Sequence, residues 1–80
     1  MLGAEHPQTL LHATNLASTY SNQGRIAEAE GLLVGVLPVF RRVCGAAHPE
    51  TLRAARNLAH TYREQGRDAD AGELRTLYRL

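Results

Sequence analysis

Apolar residues recur at three- and four-residue spacing early in the chain, as Leu10, Ala13, Leu16, Ala17 and Tyr20. That spacing lines them up as one stripe along a helix. The stripe returns as Leu52, Ala55, Leu58, Ala59 and Tyr62. A proline, Pro7 or Pro49, precedes each stripe and suits a first helical position, where its missing N–H would be unpaired anyway. A glycine, Gly24 or Gly66, follows each and can take the left-handed backbone that closes a helix at little cost. Second apolar sets come next, in Ala27, Ala29, Leu32, Leu33, Val36 and Leu37, and again in Ala69, Ala71, Leu74, Leu77 and Tyr78. The pattern predicts an all-α chain of two helix-turn-helix hairpins. The connection Gly45-Ala46-Ala47-His48 is short, so the hairpins must stack side by side.

The hairpins are copies of each other. An offset of 42 residues aligns Gly3 to Pro38 with Gly45 to Leu80, and 18 of the 36 pairs are identical. A period of this length marks a stacked repeat. Repeat one covers about 6–44 and repeat two about 48–80, within a single unit spanning 1–80. The shared pattern is His-Pro-x-Thr-Leu, then Asn-Leu-Ala-x-Thr-Tyr-x-x-Gln-Gly-Arg, with Glu28-Ala29-Glu30 completing it in copy one. Copy two departs there, with Asp70-Ala71-Gly72-Glu73.

These motifs resemble the 42-residue tetratricopeptide repeats of the kinesin light chain type, over almost the whole chain. The resemblance implies a protein-interaction scaffold in which the first helices line a concave face that holds a peptide segment. The groove asparagine of that family corresponds to Asn15 and Asn57, whose amides can donate to and accept from a peptide backbone. The bland alternative is an asparagine that faces solvent or bonds within its own helix.

Charge adds local detail only. Nine basic and eight acidic residues leave a formal net charge of +1, too little for a global field that draws in nucleic acid or an anionic membrane. All nine basic residues are arginines, which suits bidentate recognition but also follows from a GC-rich genome. Arg53, Arg56, His60 and Arg63 are spaced at three to four residues around Asn57 and read as one stripe. Guanidinium groups grip carboxylates in a fork, so the stripe points to an acidic peptide or a free C-terminus. A solvated basic face with Glu50 and Glu64 as intrahelical partners accounts for it equally well. Nucleic acid is disfavoured as a partner, given the interleaved acids and scarce aromatics.

Gly31 to Phe40 is apolar on nearly every side, and a helix of that kind must be covered. Repeat two of the same chain, neighbouring repeats of a longer array, or a second molecule meeting it through Leu33, Val34, Val39 and Phe40, would cover it. Pro38 predicts a kink. Two repeats are fewer than the three or so a stable stack normally needs, and no polar capping helix follows Leu80. Both points favour self-association or a piece of a longer array as the alternative function.

Other classes find little support. Cys44 is the single cysteine, with no zinc-type spacing around it, and the four histidines form no cluster. No phosphate loop or nucleophile motif is present, so no catalytic residue, metal or cofactor is expected. The apolar run to Phe40 is about half of the roughly 20 residues a membrane span needs. Without a secretory leader pattern the expected setting is soluble and cytoplasmic.

Overall fold

The computed structural model describes residues 7–80, so Gly3 to His6, with which the aligned repeat pattern begins, lie outside that range. Four helices follow one another: α1 (Pro7–Asn22), α2 (Ile26–Cys44), α3 (Pro49–Glu64) and α4 (Asp68–Tyr78). No strand occurs among the described residues. Each helix packs on the next, and α1 also touches α3. The arrangement is therefore two stacked hairpins, as the repeat pattern predicts.

Local chemistry sets the turns, and it is the same in both copies. Gly24 and Gly66 have φ of +79° and +75°, which a residue with a Cβ adopts only under strain. This left-handed step lets Arg25 N donate to Tyr20 O (2.8 Å) and Gly24 N to Ser21 O (3.0 Å), closing α1 with a paired-carbonyl cap. Arg67 and Gly66 repeat both bonds at the end of α3. The arginine after each glycine then lies over the tyrosine, at 4.2 Å for Arg25 on Tyr20 and 4.3 Å for Arg67 on Tyr62. At the start of α3 the His48 Nδ1 accepts from Glu50 N (3.1 Å), so His48 is a cap.

The core is built around α2, which lies between α1 and α3. Ala29, Leu33, Leu37 and Phe40 form its buried stripe, and they cluster with Leu10 and Ala17 of α1 and Ala54, Ala55 and Leu58 of α3. Leu33 and Phe40 are each 1% exposed. This corrects their expected role in self-association, because the covering that α2 requires is supplied within the chain. Val39 is half-buried against the same core, whereas Val34 is exposed. The far side of α2 carries Gly31, Gly35 and Pro38, all exposed, so an apolar sequence there leaves little large apolar surface. The helix continues through Pro38 to Cys44 rather than stopping. Proline removes only the bond to the Val34 carbonyl, on the solvent side.

The repeats are also joined by polar contacts. Glu30 of α2 receives Gln65 Nε2 on one carboxylate oxygen and Arg67 Nη1 on the other, each at 2.8 Å. Those two bonds hold the Glu30 carboxyl below its ordinary pKa. Thr51 at the start of α3, fully buried, donates to the Phe40 carbonyl (3.3 Å).

Candidate peptide groove

The site expected from sequence falls on α1 and α3, whose inner faces approach each other. Two side-chain bonds cross between them. Arg53 Nη2 donates to Asn15 Oδ1 (3.1 Å), and Asn57 Nδ2 donates to Ser18 Oγ (3.3 Å). The structure thus brings Asn15 and Ser18 of α1 against Arg53 and Asn57 of α3, pairs 38 and 39 residues apart in sequence. A polar cleft of about 140 Å³ follows the same line, with Ser18 and Asn22 on one wall and Asn57 and His60 on the other. Arg53 is also drawn toward Glu50, whose Oε2 lies 3.9 Å from its Nη1. That oxygen is buried without a hydrogen bond, so the nearby guanidinium is its compensation. His60 Nε2 lies 3.2 Å from Glu64 Oε1.

The expected single basic stripe is divided in two. Arg53, Asn57 and His60 face the α1 side, whereas Arg56 and Arg63 turn toward α4. There they line a second cleft of about 240 Å³ with Ala59, His60, Leu80 and Arg75. No acidic residue lines this cleft. His60 belongs to both clefts and links them. At 3.6 residues per turn Arg53, Arg56, Asn57 and Arg63 share an arc of roughly 120°, so the division comes from packing: α1 meets the Arg53 and Asn57 edge of that face and α4 brings Arg75 to the Arg56 and Arg63 edge.

Arg75 was not expected from sequence. The signal for it is in the repeat register: Arg75 occupies the place of Leu33 in copy one, and Arg56 and Arg63 occupy those of Thr14 and Ser21. Where copy one has a buried threonine and leucine, copy two has exposed guanidinium groups. A larger cleft, about 560 Å³, is lined by Tyr62, Leu74, Leu77, Asp70 and Glu73. It shares no residue with the basic cleft and holds none of the residues expected to bind.

Among the described residues no group of histidine, cysteine or acidic side chains could hold a metal ion. No helix there is long and apolar enough to cross a membrane. A sequence profile of the tetratricopeptide repeat matches residues 8–74. The chain belongs to the tetratricopeptide repeat family. This family is a non-catalytic helical scaffold whose general role is to mediate protein–protein interaction. No curated protein and no solved structure matches the chain.

Proposed function

We propose that this tetratricopeptide unit, with repeats of the 42-residue kinesin light chain type, binds an acidic peptide segment along the inner faces of α1 and α3, with its carboxylate end in the adjoining basic cleft between α3 and α4. The observation that carries the reading is the convergence of Arg56, Arg63 and Arg75 from two helices on one cleft that no acid lines. Three guanidinium groups in one concavity favour an anionic group there, and their forks match a carboxylate; Glu64 and Asp68 line a neighbouring cleft with His60 and Arg63 and not this one. The polar cleft beside it, with Asn57 and Ser18, then offers amide and hydroxyl partners to the peptide backbone. Arg53 has a smaller direct share in this reading, because Glu50 and Asn15 already engage it.

The test is a peptide array followed by calorimetry on the best binders. Acidic sequences should be enriched, Arg56→Glu and Arg63→Glu should each weaken binding tenfold or more, and Arg53→Ala should matter less. Binding that is indifferent to charge reversal at Arg56 and Arg63 sinks the proposal.

A further inference from the structure

Several arginines of this chain are engaged by a polar neighbour. Arg25 Nε donates to Glu28 (2.8 Å), Arg67 donates to Asp70 (2.9 Å) and Glu30 (2.8 Å), and Arg53 donates to Asn15 (3.1 Å). Arg56, Arg63 and Arg75 differ. All three are exposed, none is ion-paired among the described residues, and they line one cleft of about 240 Å³ together with the buried Ala59. Glu64 and Asp68 lie in a neighbouring cleft with His60 and Arg63, where Glu64 faces His60 at 3.2 Å. The hairpin itself does not ask for these cations, because copy one builds the same hairpin with Thr14, Ser21 and Leu33 at those positions.

A carboxylate alone uses only part of this capacity. In the one carboxylate that joins the repeats, Glu30, two donors occupy the group, with Gln65 on one oxygen and Arg67 on the other. A peptide's carboxylate end therefore matches about one guanidinium fork of the cleft, and two remain. A phosphate monoester carries a charge of about −1.5 to −2 at pH 7 and three strong acceptor oxygens, which complements two guanidinium groups. The length of the cleft suits both groups at once. Arg56 and Arg63 are two helical turns apart, roughly 10 Å along α3 at about 1.5 Å per residue. An extended peptide covers that span in about three residues, at about 3.3 Å each.

We propose that the basic cleft is a phosphate site, which takes a phosphorylated serine or threonine about three residues before the carboxylate end of the bound peptide. The inference rests on the acidic-peptide reading and adds regulation to it: phosphorylation of the partner raises its affinity. Two of the guanidinium groups of Arg56, Arg63 and Arg75 hold the phosphate, and the third holds the carboxylate. Nucleic acid is a poorer occupant, since no aromatic side chain lines the cleft for a base to stack on. An anionic membrane is poorer too, because the cations sit in a small concavity with Glu64 and Asp68 beside it rather than on an open basic face.

The test takes the best binder of the acidic-peptide array and remakes it with serine, phosphoserine or aspartate three residues before its carboxylate end. Calorimetry against the full chain should show the phosphoserine peptide binding tenfold or more tighter than the serine peptide, with aspartate recovering a small part of the gain. Arg56→Gln and Arg75→Gln, both at exposed positions, should each remove most of that gain, whereas Arg53→Gln should leave it. Equal affinity of the serine and phosphoserine peptides overturns the proposal and leaves the acidic-peptide reading standing. A gain that survives Arg56→Gln and Arg75→Gln together also overturns it, because the phosphate would then be held elsewhere. Failure of every peptide to bind removes the acidic-peptide reading and the proposal with it. Cosedimentation with vesicles of phosphatidylcholine and phosphatidic acid in equal parts, or a mobility shift of single-stranded DNA, checks the occupant. Either one, lost in Arg56→Gln and not competed by the phosphoserine peptide, would assign the cleft to a lipid headgroup or to nucleic acid and overturn the proposal.

Discussion

Leucine occupies the same place in both repeats, at Leu16 and Leu58, so replacing each by alanine isolates what α2 contributes as a cover. Leu58 is 3% exposed in the core, and removing it loses the transfer free energy of the side chain and leaves a cavity. Such replacements cost about 2–5 kcal/mol. Leu16 is 43% exposed, so about half of its side chain already meets water and solvent fills the space it vacates. Full burial of a leucine is worth about 1.5–3 kcal/mol, so Leu16→Ala should cost about 1 kcal/mol or less. Urea unfolding followed by helical circular dichroism reads both. With a slope near the low end of about 1–3 kcal/mol per molar, the midpoint for Leu58→Ala should fall by about 2 M or more, and that for Leu16→Ala by under about 1 M. Equal losses within about 0.5 kcal/mol would refute the asymmetry of covering.

Two other predictions concern the turns and the repeat junction. Gly66→Ala forces a side chain into φ +75° and should destabilise by about 1 kcal/mol, whereas Gly35→Ala, in a helix interior with open space at its Cβ, should stabilise by about 0.5–1 kcal/mol. Thermal melts that move in the same direction for both variants would contradict this. At the junction, Gln65 and Arg67 lower the pKa of Glu30 in the folded chain relative to the unfolded one. The sign follows: their contribution is present in full above the ordinary carboxylate range and is lost as pH falls through the depressed folded value. Glu30→Gln should therefore lower stability at pH 7 and converge with the parent in strong acid, and a constant difference in urea titrations at pH 7 and pH 3 would rule this out.

The parts of the fold legible in sequence are those that depend on local chemistry said twice. Pro7 and Pro49, Gly24 and Gly66, and the apolar stripes of α1 and α3 each specify a start, a stop or a face without reference to the rest of the chain. The burial of α2 was less legible. Its apolar residues run nearly all round, so periodicity could not tell Leu33 and Phe40, which are core, from Val34, which is exposed. The difference comes from small residues, since Gly31, Gly35 and Pro38 make an outer side that needs no cover. In the candidate site, Asn15, Asn57 and Arg53 were legible as a group. The turn of Arg56 and Arg63 toward Arg75 was not, because it depends on where α4 packs.

The basic cleft and the poor fit of α4 to a further helix have one origin. In copy one the corresponding positions hold Thr14, 1% exposed, Ser21 and Leu33, 1% exposed, and Ser21 and Leu33 lie beside Asn57 and Thr61 of α3. In copy two the same positions hold Arg56, Arg63 and Arg75, and Leu37 is replaced by Arg79. A guanidinium is almost never fully buried without a partner, so these replacements keep the α3–α4 side open to water. They also deprive α4 of the apolar stripe and of the carboxylate, now Gly72, with which α2 holds α3. The substitutions that supply cations to the cleft are therefore the ones that remove a stacking surface. The pair of repeats is asymmetric as a result: α2 holds α3 with an apolar stripe and a carboxylate, and the corresponding positions of α4 carry charge or glycine instead. Reverting Arg75→Leu should accordingly weaken acidic-peptide binding by removing one of the three guanidinium groups of the cleft, a loss that calorimetry against the parent chain reads.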